Sequence, residues 1–175
     1  MSTIETARLI LRPWREDDAA DLYKYACDPR VGPSAGWEVH KDEADSLNIL
    51  RTVLMKENTW AVTIKGSGEP VGSIGYFPCG NEQAKGAPEI GYWIGVPFWG
   101  NGYIPEAVHA LIGRCFEEGA ETVWCSHFRG NDKSRRVIEK SGFQYRFTAP
   151  WSGGAGDPHP DTMYYCISRE DWAND

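Results

Sequence analysis

The sequence predicts an α/β (mixed α+β) fold, in which a central mixed sheet of six to seven strands is flanked by about four helices. Two observations support this. Alternating apolar runs at 60–64 and 71–77 flank a glycine-rich turn at 66–68 and predict an antiparallel hairpin. Further along, apolar runs alternate with helical patterns, which indicates strand–helix–strand units. No repeat or linker interrupts the chain, so we expect a single domain over 1–175.

The elements are predicted in order along the chain. An apolar run at 8–13 predicts the first strand. Apolar residues at helical spacing predict a helix at 16–26, which Asp28-Pro29 ends, and a second at 42–56 with leucines along one stripe. The later strands are 60–64, 71–77, 89–94, 122–128, 144–148 and 162–167, and the later helices run from a glycine turn to about 118 and from Asn131 to Gly142. The Gly- and Pro-rich residues 149–160 are too long for a hairpin turn, and both a functional and an inert loop are open.

Charge and cysteine content restrict the class of protein. The net charge of −7 argues against a nucleic-acid binder, whose surface is basic, and it permits a cationic substrate or simply favours solubility. Five cysteines without a CxxC pair and four histidines without ligand spacing argue against a disulfide framework and a metal site. The first residues lack a signal-peptide layout and no apolar run reaches 18 residues, so we expect a cytoplasmic protein.

The most informative segment is 89–107, which reads EIGYWIGVPFWGNGYIPEA. Aromatic and β-branched residues at 89–94 predict a strand, and Gly100 and Gly102 leave backbone amides without a covering Cβ. The proline and glutamate that follow suit the first turn of a helix. Because bare amides at a helix N-terminus bind anions, the segment predicts a site for a phosphate-bearing cofactor at 100–104.

A second segment, NDKSRRVIEKSGF at 131–143, also follows a predicted strand and opens a helix. Asn131 can cap this helix and still offer an amide to a ligand, and Ser134 projects near the same face. Lys133 and Arg135 add positive charge where a nucleotide phosphate could lie. A normally capped helix with an exposed basic turn explains the same residues, so both interpretations are open.

Together the two segments resemble the GCN5-related N-acetyltransferase (GNAT) superfamily, and within it the chain is most similar to the ribosomal-protein N-terminal acetyltransferases. The resemblance covers nearly the whole chain, from TARLILRP at 6–13 through FWGNGYIPEA at 98–107 to the segment at 131–143. It implies a splay between the fourth and fifth predicted strands. It also implies transfer of an acetyl group from acetyl-CoA to an amine.

The resemblance further implies where the coenzyme binds. Amides of the glycine turn would hold its pyrophosphate. The pantetheine arm would follow the end of the strand predicted at 89–94, in the splay between this strand and the strand near Ser126. The implied coenzyme-binding residues are Trp93, Ile94, Gly95, Val96, Gly100, Asn101, Gly102, Tyr103, Ile104, Asn131, Lys133, Ser134 and Arg135. Pro97 departs from the Gln or Arg that is frequent three residues before the first glycine, but backbone contacts should tolerate it. No metal is expected.

Two residues are candidates for the chemistry. Many superfamily members place a general-acid Tyr seven residues after this Asn, where the chain has Ile138, while the ribosomal-protein branch has a Ser like Ser134. Ser134 is therefore the candidate to protonate or stabilise the thiolate, unless it only hydrogen-bonds the sulfur or the helix backbone. Glu89 is the candidate general base, directly or through a water, unless it forms a structural salt bridge. A backbone amide near Ile94 would stabilise the oxyanion.

The predicted acceptor follows from branch resemblance and amine chemistry. At pH 7, deprotonating an α-amino group of pKa about 8 costs on the order of 1.4 kcal/mol, against roughly 4 to 5 kcal/mol for lysine. A carboxylate base therefore suits a protein or peptide N-terminus, attacking directly in a ternary complex. The alternatives are a small amine (amino acid, polyamine or antibiotic) as acceptor, or a non-catalytic CoA-binding sensor. Trp37, Glu89 and Trp151 are the candidate acceptor-binding residues, with packing the alternative for the tryptophans, and we expect a homodimer without nucleic-acid or membrane partners.

Overall fold

The computed structural model describes residues 1–150 and 161–174, and this part of the chain contains eight strands and five α-helices. The strands are β1 (Ile4–Glu5), β2 (Leu9–Pro13), β3 (Thr59–Ile64), β4 (Pro70–Pro78), β5 (Pro88–Ile94), β6 (Thr122–Phe128), β7 (Gln144–Ala149) and β8 (Thr162–Ser168). The helices are α1 (Ala19–Ala26), α2 (Glu43–Ile49), α3 (Tyr103–Glu117), α4 (Asp132–Lys140) and α5 (Arg169–Ala173). None of these helices is both long and apolar enough to cross a membrane.

The strands form one mixed sheet, as predicted. Hydrogen-bonded neighbours follow the order β1-β2-β3-β4-β5-β6-β8-β7. β5 and β6 are parallel, whereas β1–β2, β2–β3, β3–β4, β6–β8 and β7–β8 are antiparallel pairs. The register of β5 with β6 covers only Glu89 opposite Trp124 and Ile90 opposite Cys125, and this short pairing agrees with the predicted splay.

The described chain has more strands and one more helix than predicted. β1 pairs with β2 but has two residues, which are too few for alternation to show in a sequence. α5 follows a capping box, in which Ser168 and Asp171 bond each other's backbone amides, and the sequence interpretation missed it. The helix predicted at 16–26 starts as a 3₁₀ turn at Glu16–Asp18, and the one at 42–56 continues beyond α2 only as a π-helical segment.

The described chain divides into two compact units. Unit 1 consists of Met1–Tyr76 and Tyr92–Ala110. Its core contains the buried residues Trp14, Leu22, Ala26, Leu50 and Ala61, against which Ala19, Trp37, Leu54 and Trp93 pack. The apolar residues that predicted the first helix by their spacing therefore do face a core. Trp14 Nε1 donates to Ser73 Oγ at 3.2 Å, which gives this buried indole its hydrogen-bond partner.

Unit 2 consists of Phe77–Gly91 and Leu111–Asp175. Its buried cluster contains Cys79, Ala84, Trp124, Tyr164 and Cys166, against which Ala87, Phe147 and Ala149 pack. Phe147 stacks on Tyr164 with ring centroids 4.9 Å apart, and it also contacts Trp124 at 5.9 Å. Because side chains alternate across a strand, this aromatic cluster covers one face of β6 and β8.

Candidate functional site

The glycine turn lies in unit 1, between β5 and α3. Gly100 and Gly102 have φ of 78° and 75°, the left-handed conformation that favours glycine. A Cβ at Gly100 would meet no atom within 4 Å, so the backbone here borders open space. α3 begins at Tyr103, and Ile104 in its first turn is buried. Exposed amides that lead into a 15-residue helix are a suitable site for a phosphate group.

Arg8 contacts this turn, and the sequence interpretation missed it. Its Nη1 donates to the carbonyl oxygen of Asn101 at 2.9 Å, and its Nη2 donates to that of Gly102 at 3.1 Å. Its Nε pairs with Glu106 Oε2 at 2.6 Å, and its guanidinium lies 4.8 Å from the centre of the Tyr103 ring. Since C=O and N–H point in opposite directions in a planar trans peptide, these bonds leave the turn's amides directed away from Arg8. No local pattern marks Arg8 for this role.

The end of β5 lies in the same unit. The carbonyl oxygen of Ile94 accepts a hydrogen bond from Trp99 Nε1 at 2.9 Å. The backbone N–H of Gly95 donates to Val71 O at 2.8 Å, and a Cβ at Gly95 would lie 2.6 Å from the Tyr25 ring. Gly95 therefore allows close packing against Tyr25. Because its N–H is already hydrogen-bonded, the oxyanion donor predicted near Ile94 would be a different backbone amide.

Trp37, predicted to contact the acceptor, belongs to an aromatic row in unit 1. Its ring is half-buried and lies 5.7 Å from Trp93, edge to face, and 5.2 Å from His40. His40 Nδ1 and Ser46 Oγ are 2.8 Å apart in the buried end of this row. Trp37 thus packs against the core of unit 1, and Trp151, the other predicted acceptor tryptophan, lies outside the described residues.

Glu89 is a buried carboxylate in unit 2, with 8% of the residue exposed. Its Oε1 accepts a hydrogen bond from Ser126 Oγ at 2.6 Å. None of the ion pairs among the described residues includes Glu89, so the salt bridge considered for it is not found in that part of the chain. Ser126 was expected near the coenzyme, and its bond to Glu89 was not foreseen.

Cys79 and Tyr164 also face Glu89. Burial first, and then the hydrogen bond to Glu89, raises the pKa of the Cys79 thiol to about 12. Burial and then the charge of Glu89 raise the pKa of Tyr164 above its usual value. Both groups therefore stay protonated at neutral pH, and the carboxylate is surrounded by neutral hydrogen-bonding groups. Neither residue stands in a recognisable sequence motif.

The predicted residues at 131–135 lie at the start of α4, in unit 2. Asn131 Oδ1 accepts from Ser134 N at 3.1 Å, as the predicted cap requires, while the Asn131 N–H donates to Phe128 O. Ser134 is half-buried, and Lys133 is exposed. Arg135 is exposed and pairs with Asp132 at 3.1 Å, which partly compensates its charge. The predicted site residues thus fall into a unit 1 group around the glycine turn and a unit 2 group containing Glu89 and Ser134.

Comparison with models of protein families shows which family the chain belongs to. A family model described as an acetyltransferase (GNAT) domain matches residues 8–144. The matched part includes Arg8, Glu89, the glycine turn and α4. The chain belongs to the GNAT acetyltransferases. It is therefore an acetyl-CoA-dependent N-acetyltransferase that acts on an amine, and the predicted superfamily is confirmed.

Two curated relatives belong to Bacillus subtilis. The uncharacterised N-acetyltransferase YoaA is 26% identical over 147 residues, which cover 81% of this chain and 82% of YoaA. YdaF, named as a candidate ribosomal N-acetyltransferase, is 36% identical over 92 residues, which cover 52% of this chain and 50% of YdaF.

Two solved structures support the same fold. A Vibrio cholerae structure, described as a candidate ribosomal-protein-serine acetyltransferase, has a TM-score of 0.76 at 22% identity and covers 95% of this chain and 97% of its own. The aminoglycoside acetyltransferase AAC(6′)-Ib, solved with coenzyme A, has a TM-score of 0.73 at 21% identity. The match covers 95% of this chain and 98% of that structure's chain. At these identities the two structures confirm the GNAT-like fold of the GNAT enzyme and leave its acceptor open.

Proposed function

We propose that this GNAT enzyme acetylates the α-amino group of a protein or peptide N-terminus. The observation that carries the proposal is the buried Glu89 carboxylate, which neutral groups surround in unit 2. Such a base suits an α-amine, since making this amine neutral at pH 7 costs only about 1.4 kcal/mol. The names of YdaF and of the Vibrio cholerae structure support the same acceptor class.

The chemistry proposed is direct attack within a ternary complex. The neutral amine forms a C–N bond to the thioester carbonyl carbon, the C–S bond breaks, and the sulfur leaves as a thiolate. The amine proton passes to Glu89, directly or through a water, and then to solvent. Ser134, in the first turn of α4, would donate a hydrogen bond to the thiolate until it gains a proton.

The coenzyme is assigned to the residues that the family resemblance indicates. The open backbone at Gly100 and the amides as far as Ile104 fit a pyrophosphate. Trp93 to Val96 and Asn131 would contact the pantetheine arm, and Lys133 and Arg135 would add charge near a phosphate. The N–H of Gly95 is already bonded to Val71 O, so Gly95 would contribute by shape.

A panel of amines tests the acceptor and the base together. Release of free thiol from acetyl-CoA is measured with peptides of varied first residue, the same peptides blocked at the N-terminus, a polyamine and an aminoglycoside. We expect turnover of peptides with a free α-amine only. Turnover of the small amines alone would overturn the proposed acceptor.

Variants of the two proposed catalytic residues complete this test. Because general-base catalysis typically contributes 10²- to 10⁴-fold, Glu89→Gln should lower kcat/KM at least about 100-fold at pH 7. Ser134→Ala should lower kcat with little change in acetyl-CoA KM. Glu82→Gln, which alters an exposed carboxylate paired with Lys85, is the matched control and should behave as wild type. A Glu89→Gln enzyme with unchanged turnover would contradict the assigned base.

The homodimer and the cytoplasmic location stay predictions from the sequence. Light scattering after size-exclusion chromatography should give twice the chain mass of 19.6 kDa. A monomer at micromolar concentration would contradict the expected dimer and would leave the acceptor proposal untouched.

A further inference from the structure

Glu89 is a buried acidic side chain. With 8% of the residue exposed, it has little contact with water, and its polar partners are mostly protein groups. No cation pairs with it among the ion pairs of residues 1–150 and 161–174. A general base has to direct a carboxylate oxygen at the proton that it accepts, so the groups that orient Glu89 matter for the reaction.

Two side chains reach the carboxylate from the segments on either side of β5. Glu89 is opposite Trp124 on β6, so Ser126, two residues further along β6, lies on the same face as Glu89. Its Oγ donates a hydrogen bond to Glu89 Oε1 at 2.6 Å. On the other side, the backbone N–H of Cys79 donates to Ala87 O at 2.8 Å, which places Cys79 opposite a residue two positions before Glu89. The Cys79 thiol shares a hydrogen bond with Glu89 and is 2% exposed.

We propose that Ser126 and Cys79 are positioning residues that hold the Glu89 carboxylate aimed at the acceptor amine. This inference rests on the proposed role of Glu89 as the base. A carboxylate offers about four lone-pair sites, so two donors leave sites for the amine proton or for a bridging water. The hydroxyl is the stronger donor and the thiol the weaker one.

The proposal predicts a specific change in kcat. Cys79, from the segment after β4, and Tyr164, from β8, are titratable groups that face Glu89. Both have raised pKa values and stay neutral at pH 7, so neither adds a charge beside the carboxylate. Removing a donor leaves the carboxylate less firmly oriented toward the amine. The rate of the chemical step then falls, while binding of acetyl-CoA is unchanged.

The test is the steady-state measurement of kcat and of the KM for acetyl-CoA at pH 7. For Ser126→Ala we expect kcat to fall about 10-fold, which corresponds to the loss of one hydrogen bond to a charged group. For Cys79→Ala we expect a smaller decrease in kcat. Ser126→Thr and Cys79→Ser keep a donor and should restore the wild-type kcat. The KM for acetyl-CoA should not change.

A buried thiol on the same strand supplies the control. Cys125 precedes Ser126, is 1% exposed, and donates through Sγ to Ile90 O at 3.2 Å. Because side chains alternate along a strand, Cys125 lies on the face of β6 opposite to that of Ser126. Cys125→Ala therefore removes a buried thiol from the other face of the sheet, and its kcat should match wild type. An equal fall in kcat in Cys125→Ala would show that the effect reports packing, and it would overturn the proposal.

The remaining outcomes separate this inference from the proposed function. If Glu89→Gln lowers kcat/KM while Ser126→Ala and Cys79→Ala keep the wild-type kcat, the positioning role is wrong and the base is retained. If Glu89→Gln keeps the wild-type turnover, the proposed base itself is wrong. Should Ser126→Ala fail to fold, as shown by circular dichroism, the Cys79→Ala and Cys79→Ser pair decides the question alone.

Discussion

Arg8 should control how tightly the enzyme binds acetyl-CoA. Arg8→Met removes the guanidinium that bonds the carbonyl oxygens of Asn101 and Gly102, while it keeps an apolar stem beside Tyr103. Glu106 would still accept from Thr6 Oγ1 at 2.6 Å and from the Arg8 N–H at 2.7 Å. The variant therefore loosens the glycine turn and leaves α3 attached to the start of the chain.

The size of the effect follows from these contacts. A protein hydrogen bond contributes about 0.5–1.5 kcal/mol net, and the lower half of this range applies to the charged Arg8 donor because its side chain is 48% exposed to screening water. Two bonds then contribute about 1–2 kcal/mol, which corresponds to roughly 5- to 30-fold weaker binding of the coenzyme. The half-exposed ion pair with Glu106 adds little beyond this.

Isothermal titration with acetyl-CoA measures this loss directly, and steady-state kinetics should show the same factor in KM with kcat nearly unchanged. Arg51→Met is the matched control, because Arg51 forms a similar exposed pair with Glu16 at 2.6 Å in unit 1 and does not bond the turn. Equal affinity in Arg8→Met and wild type would refute the reasoning that Arg8 orders the amides of the turn.

Two further predictions concern stability. Gly72→Ala should destabilise the protein by about 1–3 kcal/mol in denaturant unfolding, because its Cβ would lie 2.4 Å from the backbone oxygen of Trp93. The control is Gly80→Ala, whose Cβ would meet no atom within 4 Å and which should be near neutral. Equal unfolding midpoints for the two variants would contradict this prediction. Burial lowers the pKa of His40, so the unfolded chain binds its proton first and stability should fall as pH decreases below about 6.5. In His40→Gln the free energy of unfolding should depend less on pH in this range. An unchanged dependence would argue against the role of His40.

Much of the candidate site could be predicted because its shape is local. Gly100 and Gly102 adopt the left-handed conformation that favours glycine, and a helix starts directly after them. Asn131 caps α4 through Ser134 N, as residue type and position indicated. The two-residue β1 was missed, since a strand this short is defined by its partner β2.

The sequence by itself determined the superfamily, through the resemblance of its segments at 98–107 and 131–143 to known members. It also determined the order of the main elements and the glycine turn, because these depend on backbone preferences within a few neighbouring residues. Only the tertiary structure decided that Arg8 bonds a turn 93 residues away and that Ser126 and Cys79 both meet Glu89. These contacts depend on strand register and on the face to which a side chain points. A shift of one residue would turn each side chain to the opposite face, and no single segment encodes that register.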